Sequence, residues 1–251
     1  MHTLFRLLFT LMSLHMIGLC QAQSMAIYCE EDRPLQFYDQ DRQLTGLSIE
    51  VLHEIQLRVG NKDKVQVVPW SRGMDKLNND PNTILLTMAR TPEREALYQW
   101  IGPITSVEYM LYGKANSNIK ISSLEDAKKI KLIGVYRDDI RDQTLTRLGF
   151  KNLDRASSNI SSFKKLMIGR VDVYADSKMG VESVAIASGY KVRDVKPIFP
   201  LFKSRLYFGV SKSTDPHIVA QWNQALDEMK MDKSFLKIQR KYFTDQEISQ
   251  Q

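Results

Sequence analysis

The sequence predicts an α/β fold of two units, each a sheet flanked by helices, with a cleft between them. Three observations predict it. Strand-like and helix-like segments alternate from Met25 to Thr87, and a second alternating series begins at Ser122. Strands that alternate with helical patterns read as βαβ units around a parallel sheet. With 251 residues, 43% apolar and 25% charged, the chain has enough material for two such units.

The elements follow in order. Residues 25–29 form a short apolar run and a first strand, which opens into the charged loop Glu30-Glu31-Asp32-Arg33-Pro34. After a polar turn at 39–43, Gly46 precedes a helix with Leu47, Val51, Leu52, Ile55 and Val59 at helical spacing, and Gly60 ends it. Residues 65–68 alternate as a strand. Ser71 is placed to cap a short helix that stops before Pro81, and 83–87 read as the next strand. In the second series, Ser123 and Asp126 form a capping box. Residues 131–136 are a strand, 139–148 a helix closed by Gly149, and 162–168 a helix with Gly169 at its C′ position. Residues 171–175 form an apolar strand, Ser177 caps another helix, and 206–210 return as a strand. Asp215-Pro216 opens the long last helix, with Val219, Trp222, Leu226 and Met229 on one face, and a final helix carries Phe235, Ile238 and Tyr242.

The N-terminus reads differently. Arg6, the mostly apolar run 7–19, and small residues Cys20 and Ala22 at the −3 and −1 positions of a cut after Ala22 describe a cleavable signal peptide. The apolar run is shorter than the ~20 residues of a membrane span. Leu19 before Cys20 argues against a lipoprotein. Export to the periplasm is the expectation. Removing the leader takes away Arg6 and no acid, lowering the net charge from +6 to +5. The remaining cations are scattered, with no basic stripe interleaved with aromatics, which excludes a nucleic-acid binder. Cys29 is then the lone thiol, so no internal disulfide forms; it reads as a small buried hydrophobe. No metal-ligand cluster, nucleophile elbow or phosphate loop is present, and no cofactor is implied. In open α/β sheets ligands bind beyond the carboxyl ends of the strands. That directs attention to 30–33, 69–72, 87–94, 136–139 and 175–178.

Those segments carry a resemblance. Leu44-Thr45-Gly46-Leu47 before a helix, Thr91-Pro92-Glu93-Arg94, Trp100-Ile101-Gly102-Pro103, Gly169-Arg170-Val171-Asp172 with Asp176, and Lys241-Tyr242-Phe243 occur in an order that resembles the family 3 solute-binding proteins. These are the polar amino-acid receptors of ABC importers. The resemblance implies the two-lobed periplasmic binding protein fold. It places 23–112 and 206–251 in the first lobe and 113–205 in the second, with hinge closure around a ligand. It implies a small polar ligand, a monomer, and an inner-membrane permease or a sensor as partner. An amino acid or related carboxylate is the expected cargo. A cleft dehydratase, with Glu31, Asp138 or Asp176 as general acid, is the enzymatic alternative.

The resemblance also implies site residues. Arg94 is the carboxylate clamp, a planar fork of donors suited to a bidentate grip; as an ordinary helix-start arginine it would pair with Glu93 or Glu95. Asp176 would take an ammonium group, or else cap the next helix. Thr87 stands where the family offers a hydroxyl or a carbonyl. Trp70 and Arg72 share the turn Pro69-Trp70-Ser71-Arg72, and Trp70 walls the ligand or packs in the core. Glu31 meets a cationic part of the ligand or is a solvated loop acid. Arg90 adds a cation beside the clamp, and Ala89 replaces a hydroxyl residue. Tyr136-Arg137-Asp138-Asp139 replaces the small loop whose amides cradle the carboxylate, so the ligand is expected to differ from that of an ordinary member.

Overall fold

A computed structural model describes residues 24–249. The leader at 1–22 and the cut after Ala22 lie outside the described residues. Among the described residues no helix is long and apolar enough to cross a membrane.

The chain begins with β1 (Ala26–Cys29), the small pair β2 (Phe37–Tyr38) and β3 (Leu44–Thr45), and α1 (Leu47–Val59). β4 (Val65–Val67), α2 (Trp70–Asn79), β5 (Thr83–Ala89) and the single turn α3 (Pro92–Glu95) follow. A long strand, β6 (Tyr98–Lys114), leads to α4 (Leu124–Lys129), β7 (Ile133–Tyr136), α5 (Ile140–Arg147), β8 (Leu153–Ala156), α6 (Asn159–Met167), β9 (Val173–Ser177) and α7 (Val181–Ala187). A second long strand, β10 (Val195–Ser211), returns to α8 (Pro216–Met231), α9 (Ser234–Gln239) and α10 (Asp245–Ser249).

Eight strands lie in the order β4-β1-β5-β10-β6-β9-β7-β8. The outer strands of each half run parallel: β1 with β4 and β5, and β7 with β8 and β9. β6 and β10 are antiparallel to each other and to their outer neighbours. The first part of β6 pairs only with β10, whose last residues pair on their other side with β5. Further along, Tyr109–Tyr112 of β6 pair with β9. The two long strands thus carry the sheet from one half into the other.

Each half buries both faces of its sheet. In the first half Leu47, Val51, Leu52 and Ile55 of α1 pack with Trp222, Leu226 and Met229 of α8 on one face, while Leu77 of α2 packs with Tyr28 and Leu85 on the other. In the second half Leu145 and Phe150 cover one face and Phe163, Leu166 and Val181 the other. Fully burying such a side chain contributes about 1.5–3 kcal/mol, so helices on both faces hold each sheet half. Cys29 is fully buried in the first core, as a small hydrophobe would be. Burial, then the nearby Glu30 and Glu31, push its thiol up to about 12, which leaves it protonated and unreactive.

Several expectations are corrected. No strand was expected over 98–114, and β10 was expected only at 206–210. Both strands run 17 residues, across Pro103 in one and Pro197 and Pro200 in the other. Pro197 and Pro200 sit at register shifts of the ladder, where the missing N–H is tolerated. Ser71 does not cap α2, which starts one residue earlier at Trp70 with Pro69 before it. Ser177 ends β9, and its Oγ accepts from the Gly180 N–H rather than capping α7 directly. The helix expected at 162–168 begins at Asn159, capped by Ser158. The Ser123 cap is observed, accepting from the Asp126 N–H.

Candidate functional site

The loops that follow β1, β5, β7 and β9 enclose a cavity of about 640 Å3 between the two halves. That volume lies within the usual range for small-molecule sites, and the place is the one strand topology favours.

Arg94 reaches this cavity from α3. Proline at the first helical position starts the turn, Thr91 stands before it, and the arginine side chain folds inward until the residue is 4% exposed. Its Nη1 donates to the Ala89 carbonyl at 3.3 Å, and its ring neighbour is Trp70, 5.6 Å away. Nη2 is buried with no hydrogen-bond partner. Burial depresses the Arg94 pKa, against the attraction of Asp139 and nearby tyrosines, but an arginine keeps its charge. A buried guanidinium nitrogen without an acceptor is expensive unless something else supplies one.

Thr87 turns toward the same space by an unusual backbone. Its φ is +54° inside β5, where the pairing with β10 shifts register between Tyr207 and Gly209. A left-handed β-branched residue is strained, and a bulge is a known way to re-aim a side chain. Thr87 Oγ1 accepts from Gln36 Nε2 at 2.8 Å, leaving the buried Gln36 Oε1 without a partner.

The second half contributes a buried ion network. Asp139 caps α5 by accepting from the Arg141 N–H, and also binds Arg141 Nε at 2.5 Å. Arg141 Nη1 donates to Asp176 Oδ1 at 2.7 Å. Asp176 further accepts from the Tyr174 hydroxyl and the Ser177 N–H, both at 2.7 Å. Burial works against the Arg141 charge, but Asp139 and Asp176 outweigh it and hold its pKa well above the ordinary value. Burial pushes the Asp176 carboxyl up, while Arg141, Tyr174 and Ser177 favour its charged form.

Two acids of the first loop complete the lining. Glu30 Oε1 accepts from the Trp70 N–H at 3.2 Å and from the Tyr136 hydroxyl at 3.0 Å, the latter across the cleft. Burial raises the Glu30 pKa. Asp32 is pushed up to about 7, by burial first and then by the Asp176 carboxylate.

Six of the eight residues singled out from sequence line the cavity: Arg94, Asp176, Thr87, Trp70, Glu31 and Tyr136. Glu31 is exposed at its edge. Arg90 and Arg72 do not line it. Arg90 points outward, held by Glu95 at 2.5 Å and stacked near Trp100 and Tyr207. Arg72 is exposed on α2. Asp138 is exposed and also outside the lining. Sequence reasoning pointed to the 30–33 loop without singling out Asp32, and missed Gln36 and above all Arg141, which reads as one more cation of a solvated helix and carries no motif of its own.

Comparison with known proteins agrees with this fold. Residues 25–245 match the model of the bacterial extracellular solute-binding proteins, family 3. The L-cystine-binding protein TcyA of Bacillus subtilis (strain 168) is 26% identical over 211 residues, covering 84% of this chain and 77% of TcyA. A histidine kinase sensor domain with similarity to periplasmic binding proteins superposes with a TM-score of 0.79 at 17% identity, covering 88% of this chain and 96% of the other. An ancestral arginine-binding protein bound to arginine gives 0.76 at 22% identity, covering 88% and 98%.

Proposed function

The chain belongs to the bacterial extracellular solute-binding proteins, family 3, and from that premise we propose that it captures a small polar ligand, an amino acid or related carboxylate, in the periplasm for an ABC importer. The single observation that carries the reading is Arg94 Nη2, buried at the cavity with no acceptor. A ligand carboxylate supplies that acceptor in a charge-assisted contact. The relative TcyA binds L-cystine, and the ancestral neighbour holds arginine; both ligands bear an α-carboxylate. Export relies on the leader ending at Ala22, and delivery on docking to an inner-membrane permease. The protein acts as a monomeric binder, and the cleft holds its ligand without chemical change.

The lobe assignment belongs to the same reading. The pairing of Tyr109–Tyr112 with β9 supports reading the first passage between lobes a few residues before the expected 112/113, near Val107. The second falls opposite it, near Ser204, since Val107 pairs with Ser204.

A thermal-shift screen of the secreted protein against the common amino acids tests the proposal. A ligand at a hundredfold excess over Kd stabilises the fold by about 2.7 kcal/mol. Arg94→Ala removes a hydrogen bond to a charged group, worth about 1.5–3 kcal/mol, so affinity for the hit should fall roughly ten- to a hundredfold. Calorimetry on that variant checks it, and an unchanged Kd would remove Arg94 from the site.

A further inference from the structure

The charges that line the cavity do not balance. Five carboxyl groups stand against three guanidinium groups. The carboxylate and ammonium of an α-amino acid cancel each other and leave that surplus unmet, so a further positive group on the ligand would meet it.

Asp176 is closed to such a group. It already accepts from Arg141, Tyr174 and Ser177, which fills most of the four or so lone-pair sites of a carboxylate. Displacing Arg141 would strand a buried guanidinium beside Asp139. Glu30 is likewise engaged, by Trp70 and Tyr136.

Asp32 is different. Its backbone is fixed in a tight turn, N–H to the Gln36 carbonyl at 2.7 Å and carbonyl from the Gln36 N–H at 2.9 Å. Its carboxylate takes part in none of the hydrogen bonds or ion pairs described above, and it faces the second half: a Cβ on Gly180 would stand 3.5 Å from Asp32 Oδ1. Gln36, from the same turn, brings the unpartnered Oε1. One loop therefore presents a carboxylate and a buried amide oxygen that both lack donors.

We infer that Asp32, with Gln36 Oε1 of the same turn, receives a positively charged side chain of the ligand, so that the site selects a cationic amino acid over its neutral isostere. The inference rests on Arg94 gripping the ligand carboxylate. The high Asp32 pKa, set by burial and by Asp176, with Arg141 opposing and Glu30 and Asp139 adding to it, is what an acid awaiting a counter-charge would have.

L-arginine and L-citrulline, alike in shape and different in charge, are the probes for calorimetry on the full secreted chain. The parent is expected to bind L-arginine at least tenfold more tightly. Asp32→Asn should weaken L-arginine at least tenfold and bring the preference below about threefold, while Asp32→Glu retains much of it. Melting curves confirm that each variant folds. If L-citrulline binds the parent as tightly, or the preference survives in Asp32→Asn, the inference is overturned while the Arg94 reading stands, provided Arg94→Ala weakens both probes. If neither probe binds the parent, the inference is overturned and the amino-acid screen alone decides the functional reading; if Arg94→Ala leaves both unchanged, the functional reading itself falls and this inference with it.

Discussion

Asp32 ties the pH response of this fold to its cleft. Its carboxyl titrates near 7 in the folded chain against an ordinary value of 3.8. Between those values the folded chain holds a proton that the unfolded chain has released. Stability therefore declines as the pH rises from about 4 through about 7. Glu30, raised by burial, shifts the same way. The ligand-free protein is expected to melt at a higher temperature at pH 5.5 than at pH 8, and Asp32→Asn should flatten that slope without abolishing it. A melting series across that range, on parent and variant, checks the sign; a parent that gains stability with rising pH contradicts it. The residues of the site were unevenly legible in the sequence. Arg94 was visible because Thr91-Pro92-Glu93-Arg94 resembles a contiguous motif of the family. Arg141 was not, because only the fold brings α5 against β9 and makes one arginine serve two acids. Arg90 shows the converse: close to Arg94 in chain and in chemistry, it leaves β5 on the solvent side and finds Glu95 there.

Helix α1 shows how far local signals define an element. Its apolar spacing, Gly46 at its start and Gly60 at its end all read correctly from sequence, and the structure gives the two glycines different reasons to exist. Gly60 has φ +72° with open space where a side chain would be. Gly46 has φ +119°, and a Cβ there would stand 2.4 Å from the Leu35 carbonyl oxygen. Gly60→Ala should cost only the left-handed penalty, about 1–2 kcal/mol. Gly46→Ala must also move backbone at the turn that carries Gln36 and Asp32, and should cost more than about 2 kcal/mol. Urea denaturation of both variants measures the difference, and equal losses would show that the Leu35 contact relaxes freely. The long strands were the illegible elements. Glycine and proline at 102–103 and proline at 197 and 200 are breakers by local rule. The ladder absorbs them at shifts in register, which only the partner strand can reveal. The mainly parallel βα units were legible because each carries its own period and its own turn.

At the scale of the whole molecule, the two halves touch across the cleft through contacts of unequal weight. The Tyr136 hydroxyl donates to Glu30 at 3.0 Å in the shelter of the cavity, and Arg147 meets Glu93 at 3.1 Å with both side chains about half exposed. Solvent-exposed ion pairs contribute about 0–1 kcal/mol, whereas a sheltered hydrogen bond to a charged group is worth about 1.5–3 kcal/mol. If the lobes hinge about the paired segments near Val107 and Ser204, both contacts exist only in the closed form, and apparent affinity scales with the closed fraction. Tyr136→Phe removes the hydroxyl and little else, since Glu30 keeps the Trp70 N–H and the ring keeps its volume. It should therefore weaken ligand binding by about tenfold or somewhat more, while Arg147→Ala should weaken it less than about fivefold. Neither should change the melting point of the ligand-free protein much, because each acts between lobes and not within a core. Small-angle scattering supplies the second readout: saturating ligand should shrink the radius of gyration of the parent, and Tyr136→Phe should need more ligand to reach the same value. A Tyr136→Phe variant that binds as the parent does, with an unchanged closure curve, would mean that the ligand alone bridges the lobes and that the Glu30–Tyr136 contact merely follows.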